Sequence, residues 1–316
     1  MMSRTFLVAA GAVIVLLIAL VLLPLALSSY QLELAIKMLI FALFAMSLDL
    51  LLGYAGMASL GHAAFFGVAA YTMALLLVRA ELEAWIAFPA GLIAAGVTGA
   101  VFGVLALRAR GSYFLMITLA LAQTLWGIAF GWSTMTGGDD GLNVPRIELG
   151  LPWSLADTVP FYYFVLFFVS VAVVLLVCIV RSPFGYALRG IRESESRMLA
   201  LGYDVWRYKY LAFVLAALFA GLAGCLYVFY NRFISPDYMH VIQSAEALIM
   251  VILGGAGTLV GPAIGAVVIV FLENVVSTYT HRWLMILGGV YVVVTLFAPR
   301  GLVGLARELW ERRPRS

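Results

Sequence analysis

The chain has 316 residues, of which 65% are hydrophobic and 11% are charged, and its mean hydropathy is +1.08. These values exclude a soluble globule, which needs far more polar surface, and they indicate a membrane protein. The net charge of +3 comes from basic residues at the ends of apolar segments, so it predicts a basic rim near membrane lipid and no nucleic-acid partner.

Long uncharged intervals follow one another along the chain. They cover residues 5–32, 50–78, 84–107, 111–138, 158–180, 210–231, 247–272 and 283–299. Each can hold the roughly 20 apolar residues that a helix needs to cross about 30 Å of hydrocarbon. Leu, Ala, Val and Ile occur at nearly every position without the alternation of a membrane barrel, so the intervals predict helices.

The first interval has two interpretations. Arg4 and the small residues before Ser29 are compatible with a secretory signal peptide, whose apolar core has about 7–15 residues. The interval is much longer than such a core, so we expect an uncleaved first span.

Two regions contain breaks. Residues 34–79 are too long for one helix and are rich in glycine over residues 53–61, the first break, so we expect helices at about 34–52 and 61–79. Residues 243–275 are interrupted at 254–262, the second break, by the run GGAGTLVGP. Splitting both regions predicts an all-α polytopic membrane protein, one transmembrane domain over residues 1–316, with about ten segments that include short and broken helices.

Basic residues predict the orientation, because they collect on the cytoplasmic side of membrane proteins. If Arg4 is inside, Arg108, Arg110 and the basic C-terminal tail also fall inside when there are ten spans. The acidic connection at 132–160 then falls outside and is expected to be periplasmic. Its exposed aspartates could dock a soluble partner, although an ordinary exposed loop is the simpler interpretation.

Residues 182–208, which we call the charged loop, interrupt the apolar pattern most strongly and are expected to be cytoplasmic. Mixed charges suit a polar rim, and Met198, Leu199 and Leu201 could insert into a groove of a partner. Gly185, Gly190 and Gly202 are expected to divide the loop into short helical runs. A solvated loop without a partner is the alternative.

The two breaks resemble each other: LGYAG at 52–56 precedes GHA at 61–63, and LGGAG at 253–257 precedes GPA at 261–263. A helix unwound in a membrane exposes backbone groups that protein or a water-filled cavity must satisfy, and such groups suit a zwitterionic solute. Close helix packing through small residues is an equal alternative. Asp49 and Glu273 lie near predicted span ends, where a solvated or capped carboxylate is a simpler interpretation than a proton relay.

The sequence predicts no catalytic residue, cofactor or metal. No phosphate loop, dinucleotide fingerprint or nucleophile elbow occurs in its required structural context. His62, His240 and His281 are too far apart to form a local metal motif. We therefore do not expect an enzyme.

Several motifs in this order resemble the LivM-type permease of branched-chain amino acid ABC importers. They lie at residues 53–67, 110–120, 136–142, 181–202, 209–213, 220–224 and 254–265. The resemblance covers most of the chain and implies a type II ABC importer-like permease fold in a bacterial inner membrane. It also implies two cytoplasmic ATPases, a second LivH-like permease and a periplasmic amino-acid-binding protein as partners.

On this resemblance, the charged loop is the coupling element, with 193–202 as the expected contact with an ATPase. The implied coupling residues are Arg189, Arg192, Glu193, Glu195, Arg197, Leu199 and Gly202. The implied substrate pathway comprises Gly53, Gly56, Ser59, Gly61, His62, Phe65, Gly254, Gly255 and Gly257. His62 could equally be a packing residue.

The resemblance leaves the solute open, because urea-type permeases of the same superfamily share many of these glycines. An ion-coupled secondary transporter would depend on Asp49 or Glu273, and a membrane scaffold would carry no flux. Dependence on a separate ATPase distinguishes the ABC permease from both.

Overall fold

The computed structural model describes residues 18–145, 157–279, 285–286, 288–289, 292 and 301–305. Their helices are α1 Ser29–Asp49, α2 His62–Val78, α3 Ala84–Ala106, α4 Ser112–Gly131, α5 Ser133–Thr136, α6 Thr158–Arg181, α7 Pro183–Glu193, α8 Glu195–Ala200, α9 Val205–Asn231, α10 Val241–Gly254 and α11 Val260–Tyr279. A π-helix, Leu50–Tyr54, extends α1, and 3-10 turns lie at Gly138–Asp140 and Pro236–Met239. Strand β1 (Leu142–Asn143) pairs with β2 (Phe233–Ile234) in an antiparallel ribbon. The helical content confirms the predicted all-α class.

Six described helices are long and apolar enough to cross a membrane: α1 with its π-helix, α3, α4, α6, α9 and α11. Helices α2 and α10 are also apolar but have only 17 and 14 residues. These eight helices correspond to eight of the ten predicted segments, which confirms a multi-pass membrane protein. Residues 18–26 are helical and belong to the predicted first span, whereas the predicted last span at 283–299 lies largely outside the described residues. The count of ten stays a prediction.

Helices α1 and α9 form the centre of the bundle. In the most apolar stretch of each of these helices, 72% of the residues are buried inside the protein, against 22% in α4. Helix α9 packs against α1, α2 and α3, and α11 packs against α1 and α10. Gly99 of α3 meets Ala217 of α9, and Gly221 of α9 meets Ala95 of α3, so small residues bring these two helices together.

Both predicted breaks are present. Residues 55–61 are not helical, and neither are residues 255–259. The first helix differs from the expected 34–52 because α1 begins at Ser29 and changes into the π-helix before the break. Single π-helical turns inside α-helices are frequent at functional sites.

The connections lie on two opposite faces. The charged loop and the α3–α4 connection share one face, because Arg110 lies 3.8 Å from Glu195 of α8. The ribbon joins the connection that follows α4 to the connection that follows α9. Helix α4 has 20 residues and is therefore about 30 Å long, so the ribbon lies on the far face.

The predicted division of the charged loop is partly wrong. Gly185 and Gly190 lie inside α7, and the loop instead divides at Ser194, where the chain is extended. Gly185 packs against the Val180 carbonyl, and Gly190 packs against Met198, so both are small because neighbours lie close. Gly202 does follow the end of α8, with a φ of +86° that favours glycine.

Candidate functional site

The two breaks meet at the carboxylate of Asp49, which is 0% exposed. Its Oδ1 accepts a hydrogen bond from the Gly257 N–H at 2.7 Å, and its Oδ2 accepts one from the Leu259 N–H at 3.1 Å. Helix α11 begins at Val260, so Asp49 satisfies backbone donors just ahead of that helix. Hydrogen bonds to an ionised acceptor are about twice as strong as neutral ones. We call this contact the junction.

The junction leaves no space for a side chain at Gly53. A Cβ there would overlap both the Asp49 carboxylate and the Gly257 nitrogen. Gly257 has a φ of +85°, a conformation that residues with a side chain rarely adopt. The glycines of the two breaks therefore permit direct contact between backbone segments that are far apart in the sequence.

Arg192 connects the charged loop to the junction. Its Nη1 donates a hydrogen bond to the Gly53 carbonyl at the end of the π-helix. The same nitrogen lies beside Gly257, and the Arg192 stem lies against Gly56. One side chain of α7 thus contacts both breaks. Arg189, one turn earlier, holds its guanidinium 5.0 Å from the centre of the Tyr54 ring, a cation–π distance.

A cavity of about 700 Å³ lies beside the junction, on the face that carries the charged loop. Three arginines and one glutamate give it a net positive charge. Its lining residues are Gly53, Tyr54, Val177, Val180, Arg181, Arg189, Arg192, Glu193, Gly257, Thr258, Leu259 and Val260.

The other predicted pathway side chains lie in packed surroundings. Ser59, His62 and Phe65 are at most 1% exposed. The His62 ring stacks on Phe44 at 5.3 Å, and its Nε2 lies 2.7 Å from the Ser47 hydroxyl. These contacts are the ones expected if His62 is a packing residue that is hydrogen-bonded between helices. The structure thus brings Gly53 and Gly257 together and encloses the polar side chains of the first break in protein.

The remaining predicted glycines shape the backbone around the breaks. Gly61 packs against the Thr118 carbonyl, and Gly254 packs against Gly261 across the second break. Gly255 lies against Gly301, which places the described residues 301–305 next to the same break.

The predicted coupling residues divide into two groups. Glu193, Arg197, Leu199 and Gly202 are exposed. Glu195 is held within the chain, because it pairs with Lys209 at 2.8 Å and lies 3.8 Å from Arg110. The expectation that Met198 inserts into a partner is wrong for this structure: its side chain is 9% exposed and packs inside the loop. Leu199 and Leu201 remain available, at 50% and 67% exposure.

A second cavity, of about 240 Å³, contains Glu273, which the sequence analysis considered, together with Lys37, Asp237 and Glu246, which it did not select. We call it the upper cavity. It is lined by Lys37, Phe41, Tyr227, Asp237, Tyr238, His240, Ile242, Gln243, Glu246 and Glu273. Lys37 lies 3.1 Å from both carboxylate oxygens of Glu273. Charged residues inside apolar segments were the available signal, since such residues are rare and commonly functional.

Tyr238 belongs to the 3-10 turn Pro236–Met239 and lines the upper cavity. Its hydroxyl accepts a hydrogen bond from the Tyr227 hydroxyl at 2.6 Å. Burial raises the pKa of Tyr238 above its usual value, so this hydroxyl is neutral at physiological pH. Within the described residues, no group of three or more His, Cys, Asp or Glu side chains is placed to hold a metal ion.

We expect the Asp49→Asn variant to loosen the junction. An amide has one acceptor oxygen, so one of the two backbone donors would lose its partner and face an NH2 group. Leaving a buried donor unsatisfied costs about 1–3 kcal/mol. Thermal unfolding of the purified protein in detergent measures the effect. Asp139→Asn, at an exposed turn position, is the control and should unfold as the unmodified protein does. Equal stability of the two variants would contradict the capping role.

A polytopic helical bundle with two broken helices at a central junction is an architecture that membrane transport proteins use. The family described as "Branched-chain amino acid transport system / permease component" matches residues 30–296. The chain belongs to this family of permease components, and it is therefore a transport protein and not an enzyme.

Curated relatives include two branched-chain amino acid permeases and one sugar permease. The chain is 28% identical over 307 residues to the high-affinity branched-chain amino acid transport system permease protein LivM of Escherichia coli, covering 90% of this chain and 72% of the relative. It is 24% identical over 284 residues to LivH of Salmonella typhimurium, covering 84% and 91%. It is also 26% identical over 245 residues to the L-arabinose ABC transporter permease AraH of Azospirillum brasilense, covering 74% and 68%. No solved structure is significantly similar to the chain.

Proposed function

We propose that the chain is the transmembrane permease subunit of an ABC importer that moves branched-chain or related hydrophobic amino acids into the cytoplasm. The family match and the names of the LivM and LivH relatives support this solute class. Two ATPase subunits, a second LivH-like permease and a periplasmic binding protein complete the proposed transporter. We place the chain in the bacterial inner membrane, with both termini in the cytoplasm.

The observation that carries the mechanism is the contact of Arg192 with both breaks. In the proposed mechanism, ATP draws the two ATPases together and the charged loop moves with them. Arg192 of α7 donates a hydrogen bond to the Gly53 carbonyl, so a displacement of α7 acts directly on the junction. A shift there changes how α1 and α11 pack, because Asp49 joins the end of one helix to the start of the other. The permease pair would then change the side to which its cavity opens.

The far face is proposed to receive the binding protein. Asp139 and Asp140 are exposed in a turn that the β1–β2 ribbon anchors to the α9–α10 connection. Fixed, exposed carboxylates suit a complementary basic surface on a soluble partner and steer its approach.

Reconstitution tests the proposal. The chain is co-expressed with its candidate ATPases and second permease, purified, and placed in proteoliposomes with the binding protein outside. We expect co-purification with the ATPase and uptake of leucine that requires internal ATP. Uptake driven by an ion gradient without ATP would instead support a secondary transporter, and ATP-driven uptake of urea or arabinose but not leucine would overturn the solute class. No flux of any of these solutes would support the scaffold alternative.

We expect the Leu199→Asp variant to weaken docking of the ATPase. Leu199 is a half-exposed apolar side chain on α8, and a carboxylate there would have to be desolvated when a partner groove covers it. Pull-down of the ATPase should fall by at least about tenfold, the change that about 1.4 kcal/mol produces. Ser196→Asp adds the same charge to an exposed polar position three residues away and should retain most of the binding. Unchanged ATPase binding by Leu199→Asp would contradict the docking role of this surface.

A further inference from the structure

We propose that the upper cavity binds the charged head group of an α-amino acid, with Lys37 receiving the carboxylate and Glu246 receiving the ammonium group. This inference rests on the proposed function and assigns a solute site to residues outside the two breaks.

The upper cavity lies across the membrane from the charged loop. Lys37 lies 12 positions before Asp49 in α1. Glu273 lies in α11, 14 positions after Leu259, the residue that precedes this helix. At 1.5 Å per residue, these separations are about 18 Å and 21 Å. The two helices therefore place the cavity at similar distances from the junction, in the opposite half of the roughly 30 Å hydrocarbon layer. Its lining includes the 3-10 turn of the far face. A solute delivered at that face would meet this cavity before it reached the breaks.

One lysine and three carboxylates line the upper cavity, and Lys37 and Glu246 are the two groups that suit a zwitterion. A lysine ammonium group has three donors, and the two contacts with Glu273 leave one donor for a solute carboxylate. Glu246 is 8% exposed, and its one hydrogen-bond partner among the described residues is the Gln243 side chain, at 3.2 Å. That bond uses one of its two oxygens. A buried carboxylate whose hydrogen-bond partner is neutral is stabilised when a cation lies beside it, and the ammonium group of the solute supplies that cation.

The shape and apolar lining also fit an amino acid with a hydrocarbon side chain. The cavity has a volume of about 240 Å³, somewhat below the roughly 300–1,000 Å³ of sites for drug-sized ligands, which suits a small solute. Phe41, Tyr227 and Ile242 supply apolar surface in the same lining. Small-molecule sites commonly combine apolar and aromatic side chains with polar groups that fix the orientation of the ligand.

The Lys37–Glu273 pair by itself could serve only to hold α1 against α11. A purely structural pair would account for those two residues, which are 25% and 28% exposed. It would not account for Glu246, a buried carboxylate on α10 that lines the same cavity without an ion-pair partner among the described residues. Asp237, another carboxylate of the lining, is exposed. The solute site gives a role to the buried Glu246 as well as to Lys37.

Equilibrium binding tests the site without ATP or the binding protein. The assembled transporter is placed in lipid nanodiscs and titrated with radiolabelled L-leucine. We expect saturable binding by the unmodified protein and at least tenfold weaker binding by Glu246→Gln and by Lys37→Gln. Glu33→Gln is the matched control, because Glu33 is exposed on α1 one turn from Lys37 and does not line the cavity, and it should bind leucine as the unmodified protein does.

A competition arm keeps the test decisive if a variant fails to assemble. On the unmodified protein, the 2-oxo acid with the leucine side chain lacks the ammonium group, and the matching primary amine lacks the carboxylate. Each should compete at least tenfold less well than leucine. Absence of saturable leucine binding, equal competition by either analogue, or unchanged binding by Glu246→Gln would overturn the site. ATP-driven uptake is measured separately, so intact uptake without leucine binding in nanodiscs would reject the upper cavity and leave the proposed function standing.

Discussion

We expect the Gly53→Ala variant to lose transport and much of its folded yield. The added methyl group would overlap the Asp49 carboxylate and the Gly257 nitrogen, and neither can move without separating the two breaks. Overpacking of a filled site costs about 1–3 kcal/mol, and loss of the Asp49 hydrogen bonds adds to that cost. For a chain of this size we expect the melting temperature to fall by about 5–10 °C. ATP-driven leucine uptake should fall to background.

Gly127→Ala is the matched control for this variant. Gly127 lies within α4, and a Cβ there meets nothing within 4 Å. Alanine is favoured over glycine in a helix by about 0.5–1 kcal/mol, so this variant should be as stable as the unmodified protein or slightly more stable. Normal uptake and stability of Gly53→Ala would show that the junction tolerates a side chain and would contradict its role.

We expect the Arg192→Ala variant to separate ATP hydrolysis from uptake. The change removes the hydrogen bond to the Gly53 carbonyl and the contact with Gly257, while Leu199 and the exposed face of α8 remain available to the ATPase. Movement of the loop would then reach the junction only through weaker packing. We expect leucine uptake per ATP hydrolysed to fall by at least about tenfold in proteoliposomes. A tenfold change corresponds to a loss of about 1.4 kcal/mol in the coupling free energy between the loop and the junction.

Two further variants separate the Arg192 contact from a general effect of charge. Arg108→Ala removes an exposed arginine from the same face and should leave the uptake per ATP unchanged. Arg192→Lys keeps the charge but lacks the planar fork of donors, so it should restore only part of the coupling. A tenfold loss in Arg108→Ala, or normal coupling in Arg192→Ala, would contradict the specific connection between the charged loop and the breaks.

Sequence patterns predicted most of the secondary structure. Residues 53–61 and 254–262 were expected to interrupt their helices, and both interruptions are present. Glycine runs inside apolar segments are a local signal, because an unwound membrane helix needs small residues and satisfied backbone groups. The family followed from the same motifs, and the match over residues 30–296 confirms it.

The contacts of the charged groups could not be predicted in the same way. Asp49 was expected to be a solvated or capped end, and it is a buried cap for donors 208 and 210 positions away. Lys37 and Glu246 were not selected, because the partner of Lys37, Glu273, lies on a distant helix and the two residues come to one cavity only through helix packing. Met198 was expected to face a partner, but the fold of α7 against α8 encloses it. Gly185 and Gly190 were expected to end helices, and they instead provide space for close neighbours.

The sequence by itself determined that this chain belongs in a membrane, where its helices lie, where two of them break, and to which transport family it belongs. Those properties depend on residues that are near one another in the chain, since hydropathy and glycine runs act locally. Only the tertiary structure decided that Asp49 joins the two breaks, that Arg192 fastens the charged loop to them, and that Lys37, Glu246 and Glu273 share one cavity. Each of these contacts joins helices far apart in the sequence, and helix packing determines which buried polar groups come within hydrogen-bond distance.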